Sequence, residues 1–163
     1  SIRKYTDANI SDQDLQTILQ AGLLSASGRA ARPWEFIVVR NKETLQKMSE
    51  SRVGAAKMLA NANAAIVVIA DESKTDVWVE DCSIAMSNMH LAASTLGIGS
   101  CWIQGRLRMT PNDTTTEDYL RDLLGYPADY RLEATLSLGI PAEEKAQTEL
   151  SALSAYKIHY EKY

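Results

Sequence analysis

The sequence predicts a single domain in which a β-sheet is covered by helices. Short runs of β-branched and apolar residues, which favour strands, alternate along the chain with segments whose apolar residues recur at helical spacing. No repeat, low-complexity stretch or linker divides residues 1–163. The 45% hydrophobic and 23% charged residues are typical of a globular domain long enough to bury a substantial core.

The predicted elements follow one another in the order helix 11–27, strand 34–39, helix 42–63, strand 64–70, helix 76–96, strand 100–104, helix 115–125 and strand 130–140. The first helix starts at Ser11, an N-cap residue, with Asp14 at the capping-box position. The second helix has helical composition, although Gly54 can interrupt it. Residues 64–70 are apolar throughout, as expected for a central strand.

The third predicted helix is apolar over much of its circumference, so we expect it to be buried at the centre of the domain. Gly97 follows it at the position where a left-handed residue commonly ends a helix. The last two predicted strands can pair antiparallel, which leaves α/β and α+β architectures equally open at this point. The tail after Pro141 is polar and then aromatic, and it lacks the apolar residues for a core of its own. We expect it to dock on something, with a second subunit as a good candidate.

Composition excludes several classes of function. The formal charge of −4 argues against nucleic acid as the main partner. Cys82 and Cys101 form no CxxC pair, so neither a disulfide framework nor a structural zinc site is expected, and a reducing, cytoplasmic location is the default. No apolar run reaches membrane-spanning length, and no signal-peptide pattern opens the chain.

The sequence contains little that supports nucleophilic, metal or Rossmann-type chemistry. No G-x-S-x-G elbow is present, and the G-x-G of residues 97–99 enters a predicted strand rather than a helix. His90 lies among apolar neighbours in a predicted helix, where a structural role is the expected one. No cluster of histidines and carboxylates has metal-ligand spacing, so no metal is expected.

Three separated patches of small, basic and polar residues remain, at residues 1–5, 27–34 and 99–105. Each has an ordinary explanation on its own: a basic terminus, a turn between a helix and a strand, and a strand between two glycines. Their order along the chain is more informative. With the segments "RPWEFIVVR", "DCSIAMSNMHLAASTLGIGSCWIQ" and "SLGIPAEEK", the sequence resembles the FMN-dependent nitroreductase family over essentially its whole length, as a compact, single-domain member.

The resemblance implies an α+β fold with a mixed or antiparallel sheet, an intertwined homodimer, and non-covalent FMN in the subunit interface. Ser1 and Arg3 match the Ser-x-Arg of the family's N-terminal motif. An FMN phosphate needs cations and hydroxyl or amide donors, and reduced flavin carries negative charge that a fixed cation stabilises. The resemblance therefore implies Ser1 on the phosphate or ribityl side and Arg3 near the flavin ring.

The family's turn, contributed by the second subunit, is matched in part. Ser27 and Gly28 agree with its pattern, whereas Ala26, Ala30 and Arg32 replace a proline, an asparagine and a glutamine. Small residues here imply close approach of the backbone to a ligand. Arg32 has two equally weighted interpretations, a substitute donor to FMN or a partner in a surface ion pair. Trp34 is interpreted as core packing.

The segment "SCWIQG" matches the part of the family whose backbone faces flavin N5. The resemblance implies that Ile103, Gln104 and Gly105 line the ring, that a backbone N–H lies near N5, and that Trp102 either walls the pocket or packs. Lys57 resembles a family lysine near the flavin pyrimidine. Further positions are weaker matches, Lys157 as a phosphate ligand and Asp81 and Asn88 as structural polar residues of the third helix.

The function that the resemblance implies is an oxidoreductase in which NAD(P)H and then a nitroaromatic, quinone or similar electron-poor acceptor use one cleft in a ping-pong cycle. Positioning and electrostatic residues, rather than a protein acid or base, would serve this chemistry. Two alternatives stay open. One is a flavin-binding storage or sensor protein with little turnover, and the other is a narrow-substrate reductase of the same family.

Overall fold

The computed structural model describes residues 1–163. The helices are α1 (Asp12–Leu23), α2 (Lys42–Met48), α3 (Trp78–Thr95) and α4 (Thr116–Leu124), and the strands are β1 (Trp34–Val39), β2 (Ala64–Asp71), β3 (Gly99–Gln104) and β4 (Tyr130–Gly139). Short 3₁₀ turns occupy Gly28–Ala30, Lys57–Asn61, Glu72–Lys74, Leu150–Ala152 and Ala155–Lys157. The predicted order of helices and strands is confirmed.

The four strands form one antiparallel sheet in the order β1-β2-β4-β3. Because the last two strands pair antiparallel, the architecture is α+β, and the α/β alternative is set aside. The apolar runs β2 and β4 occupy the centre, where both faces are covered. Strands β1 and β3 lie at opposite edges, about 14 Å apart over three strand spacings.

Helices cover both faces of the sheet and give two apolar cores. On one face, α1 and α3 pack on the sheet through residues such as Ile18, Met86 and Met89. On the other face, α2, α4 and the 3₁₀ turn Lys57–Asn61 pack through residues such as Leu59 and Leu120. The sheet is therefore the middle of three layers, and its β3 edge is left accessible from the side.

Local signals located the start of α1 and the end of α3, whereas the first predicted helix, 11–27, was too long because α1 ends at Leu23. The Ser11 hydroxyl accepts a hydrogen bond from the Asp14 N–H at 3.0 Å, which caps α1. Gly97 and Gly125 follow α3 and α4 with φ of 72° and 75°, as expected for left-handed residues after a helix. The second predicted helix was too long, because α2 stops at Met48 and Gly54, with φ of 73°, lies in an irregular loop.

Helix α3 is only partly the buried central helix that was predicted. One side packs on the sheet and on α1, but Ile84 and Leu91 remain 42% and 65% exposed. The tail is exposed as well, and it has no helix or strand beyond two 3₁₀ turns. Its uncovered apolar side chains are Leu150, Leu153, Tyr156, Ile158, Tyr160 and Tyr163. None of the helices has the length and apolar character to cross a membrane.

A β-bulge changes the direction of one carboxyl in β4. The register between β2 and β4 shifts after Val68, so Glu133 is an extra residue without a partner in β2. Its side chain is 3% exposed and lies near Ser83 of α3, and its Oε2 has no hydrogen-bond partner. Burial raises the pKa of Glu133 above the ordinary carboxyl value.

This burial makes stability depend on pH in a predictable direction. A carboxyl whose pKa is raised by folding stabilises the fold fully below its unfolded pKa, near 4.5, and loses that contribution as pH rises through the folded pKa. Glu133→Gln has no proton to lose at this position. We expect the variant to lose less stability than the wild-type protein as the pH rises from about 4.5 through the raised pKa of Glu133, measured by urea unfolding. The exposed Glu144→Gln should follow the wild-type profile, and parallel profiles for all three proteins would contradict the interpretation.

Candidate functional site at the free edge of strand β3

The N-terminal segment meets the free edge of β3 at the start of that strand. The Ile2 N–H donates to the Ser100 carbonyl at 2.9 Å, and the Tyr5 hydroxyl donates to the Ile2 carbonyl at 2.8 Å. Tyr5 is itself anchored to β4 through a 2.7 Å hydrogen bond with Ser137. These bonds place Ser1 and Arg3, both exposed, beside the start of β3.

Ser1 borders a recess of about 340 Å³ between the N-terminal segment and the C-terminal half of α3. The polar groups in its wall are mostly hydroxyls, from Ser87, Ser94 and Ser100, together with His90. His90 Nδ1 is hydrogen-bonded to the Ser100 hydroxyl at 2.6 Å, and burial, followed by the positive N-terminal amine, lowers the pKa of His90. A neutral imidazole bound in this way agrees with the structural role expected for His90.

The register of β3 determines which of its backbone groups are free. The Gly105 N–H donates to the Glu133 carbonyl in β4, so in an antiparallel pair the backbone groups of Ile103 also point to β4. Those of Ser100 and Gln104 then point away from the sheet. Two contacts agree, because Ser100 accepts from Ile2 and the Gln104 carbonyl accepts from Arg52 Nη1 at 3.3 Å. The Gln104 N–H therefore faces the free edge.

The side chain of Gln104 is held inside the chain. Its Oε1 accepts from Trp102 Nε1 at 2.9 Å, and its Nε2 donates to the carbonyl of Glu133 at 3.2 Å and to Glu133 Oε1 at 3.3 Å. Trp102 is half-buried and packs against the core beneath α3. Ile103 is 3% exposed in the opposite core, so its side chain does not reach the surface of the chain. At this strand end the available group is thus the backbone of Gln104.

Close packing within the chain leaves no room for a side chain at Gly28 and Gly105. A Cβ at Gly105 would lie 2.5 Å from Leu132 Cδ2, and one at Gly28 would lie 2.9 Å from Val77 Cγ2. The N–H of Gly28 donates to Asp81 Oδ1 at 2.8 Å, and that of Gly105 bonds to Glu133. Both glycines are therefore in close contact with neighbouring segments of the chain, and their contact with a ligand stays a prediction.

The turn at residues 27–32 has an unusual backbone. Arg29, Ala30 and Arg32 have φ of 51°, 56° and 44°, a left-handed conformation that non-glycine residues adopt at a cost. The Ser27 hydroxyl accepts from the Arg32 N–H at 3.0 Å and closes the turn. The exposed Arg32 side chain forms no ion pair within the chain, so the surface ion pair weighed for it is absent here.

The chain brings some of the predicted residues together and separates others. Ser1 and Arg3 lie at the start of the β3 edge, and the segment 102–105 lies at its end. Five residues of extended chain separate the start from the end by about 16 Å. The turn 27–32 precedes β1, at the opposite edge of the sheet. Lys57 is exposed on the 3₁₀ turn that packs on the other face, and Lys157 is exposed in the tail.

Three residues near these positions were not identified from the sequence as part of the site. Arg52 contacts Gln104, its Nε is buried without a partner, and burial followed by the nearby Arg108 lowers the pKa of Arg52. Glu133 holds the Gln104 side chain. Asp81, treated as structural, is 2% exposed and binds Gly28, yet its Oδ2 has no partner. These residues are recognised only by contacts with residues far away in the sequence, and no local sequence pattern predicts such contacts.

Comparison with known proteins identifies the family. The family model described as "Nitroreductase family" matches residues 1–54 and 46–140. A protein of Archaeoglobus fulgidus named "Putative NADH dehydrogenase/NAD(P)H nitroreductase" is 44% identical over 168 aligned residues, which cover 100% of this chain and 93% of the relative.

Solved structures are similar over the same extent. An FMN-dependent nitroreductase from Clostridium difficile has a TM-score of 0.97 at 44% identity and covers 100% of this chain and 95% of its own. A structure described as "a putative nitroreductase in complex with FMN", from Desulfovibrio desulfuricans, has a TM-score of 0.75 at 25% identity, with 100% and 92% covered. The agreement in sequence and fold along the whole chain leads to one assignment: this protein belongs to the nitroreductase family.

Proposed function

We propose that the protein is an FMN-dependent oxidoreductase that uses NAD(P)H to reduce nitroaromatic, quinone or similar electron-poor acceptors. The observation that carries the proposal is the free edge of β3, where a backbone N–H, that of Gln104, is available at one end and the exposed cation Arg3 lies with Ser1 at the other. The family assignment and the FMN named for two similar structures support this interpretation.

The donor set of this edge fits FMN. A phosphate requires cations and hydroxyls, and the N-terminal end of the edge has Arg3 together with the serine-lined recess at Ser1. A flavin ring requires amide donors and a flat wall, and the other end has the Gln104 N–H and the half-buried Trp102. The separation of the two ends suits an elongated mononucleotide.

When bound, FMN supplies the redox chemistry, accepting hydride from NAD(P)H and reducing the acceptor that then enters the same cleft. The chain itself contributes position and charge. Arg3 places a fixed positive charge next to the edge, where negative charge on the ligand is stabilised. The Gln104 N–H is preorganised because the Gln104 side chain is bonded to Trp102 and Glu133. His90, bonded to Ser100, is not needed as an acid or base.

The proposal includes a homodimer with the site between subunits. Within one chain, the turn 27–32 precedes β1, at the edge of the sheet opposite β3, and the proposal is that a second copy brings the turn to the β3 edge. The uncovered apolar residues of α3 and of the tail support a large buried interface. We place the activity in the cytoplasm as part of the same proposal, since Cys82 and Cys101 are buried free thiols.

Purified protein should be yellow, and anaerobic addition of NADH or NADPH should bleach it, with colour restored by a quinone or a nitroaromatic compound. Protein that binds FMN but stays yellow with both nicotinamides would exclude the reductase and favour flavin storage or sensing. Protein that is colourless and cannot bind added FMN would exclude both.

Arg3→Ala should weaken FMN retention, because it removes the cation that lies with Ser1 at the N-terminal end of the edge, where the proposal places the phosphate. We expect an affinity loss of roughly tenfold, the typical size of one charge-assisted contact. The neighbouring Lys4→Ala removes the same charge and serves as the control. Equal FMN affinity in Arg3→Ala and Lys4→Ala would refute the role given to Arg3.

Leu91→Glu should yield a monomer that does not retain FMN, because a charge at this exposed position of α3 would be buried in the dimer. Light scattering and flavin content measure the two effects. Val53→Glu, a charge at another exposed apolar position in the loop after α2, should remain dimeric and yellow. A Leu91→Glu protein that is still dimeric would place the interface elsewhere.

A further inference from the structure

A second cavity, of about 650 Å³, adjoins the end of β3 on the side away from Ser1. Gly105 lines it, so the cavity begins where the candidate flavin edge ends. The indole of Trp78 and the side chains of Leu107 and Met109 supply apolar wall. Such a combination of concave shape, apolar wall and a few polar groups is the usual environment of a small-molecule site.

The charges in this cavity are of two kinds. Arg121 and Arg131 are paired with carboxylates, at 3.1 Å and 3.2 Å from Glu117 and with further contacts to Asp118 and Glu72. Arg106 and Arg108 also line the cavity, and neither forms an ion pair. Each of the three carboxylates of the cavity wall, Glu72, Glu117 and Asp118, is thus paired with Arg121 or Arg131. With Arg106 and Arg108 the wall has four guanidinium groups against three carboxylates, so its net charge favours an incoming anion.

Both free arginines are carried by an ordered loop. The Arg106 N–H donates to the Glu133 carbonyl at 2.9 Å, and the Arg108 N–H donates to the Gly105 carbonyl at 3.1 Å. The Arg106 guanidinium lies 5.7 Å from the centroid of the Trp78 ring, and Arg108 Nη1 donates to the Leu107 carbonyl at 3.0 Å. Leu107, with φ of 56°, adopts a left-handed conformation at the tip of this loop. The guanidinium groups are therefore positioned before any ligand arrives.

We propose that this cavity is an anion subsite for a planar substrate that carries a carboxylate or phosphate group. Arg106 and Arg108 would bind the anionic group while Trp78 and Leu107 contact the ring system. The inference rests on the proposed function and adds a substrate class to it: acidic aromatic acceptors, or a nicotinamide nucleotide with a 2′-phosphate, are preferred over counterparts of the same shape that lack the anionic group.

The test is a calorimetric titration of the FMN-loaded protein without any electron donor, so that no turnover is required. The probes are 4-nitrobenzoate and the neutral 4-nitrobenzyl alcohol for the acceptor, and NADP⁺ and NAD⁺ for the nucleotide. The variants are Arg106→Gln, Arg108→Gln, their combination, and the Arg→Lys pair, which retains charge. Lys47→Gln, which removes one exposed positive charge on α2, is the matched control.

Wild-type protein should bind one of the anionic probes at least about fivefold more tightly than its partner, and added salt should reduce the difference. The Arg106→Gln/Arg108→Gln protein should lose this preference and bind the neutral probe as before, while the Lys pair retains part of it. Preference for 4-nitrobenzoate assigns the subsite to the acceptor, and preference for NADP⁺ assigns it to the nucleotide. Equal affinities within both pairs, or a preference that survives the double substitution, would overturn the proposal.

This outcome is separate from that of the proposed function. Protein that binds FMN but is not reduced by NAD(P)H refutes the reductase, and the same titration still measures the subsite. Protein that turns over but shows no charge preference refutes the subsite alone.

Discussion

Strand β3 pairs with β4 on one side and has no strand on its other side. The candidate site depends on this constraint. Because β3 is an edge strand, alternate backbone groups are left outside the sheet, and those of Ser100, Trp102 and Gln104 face out. The Ser100 carbonyl accepts a hydrogen bond from the N-terminal segment, and the Gln104 carbonyl accepts one from Arg52. What remains is a short, preorganised stretch of edge between an exposed cation and a free N–H, in a protein that otherwise satisfies most of its backbone.

The bulge at Glu133 makes that stretch rigid. An extra residue in β4 directs a carboxyl toward α3 and gives Gln104 a partner on the inside, so the amide side chain bridges two strands. The carbonyl of the same residue accepts from both Gly105 and Arg106, which fixes the start of the loop that follows. One irregularity thus orients the strand end on one side and the arginine-bearing loop on the other. The unsatisfied Oε2 of Glu133 is the cost of this arrangement.

The turn at residues 27–32 is closed by its own hydrogen bonds, although Ala30 and Arg32 depart from the family pattern. Ser27 and Gly28 tie it to Arg32 and to Asp81, and three non-glycine residues accept left-handed conformations. Its conformation is therefore maintained by the bond between Ser27 and Arg32 within the turn and by the contact of Gly28 with α3. The exposed turn, the uncovered Leu91 and the apolar side chains of the tail are the surfaces that the proposed homodimer would cover.

Local chemistry was readable from the sequence, and long-range placement was not. The cap at Ser11, the helix ends at Gly97 and Gly125, the order of elements and the family resemblance all rest on short-range rules, since a cap or a left-handed glycine acts within a few residues. The three polar patches were visible for the same reason. The roles of Glu133, Arg52 and the Arg106–Arg108 pair were decided only by tertiary structure. A register shift, the choice of edge strand and the pairing of one arginine but not another depend on residues far away in the chain, and no local pattern encodes them.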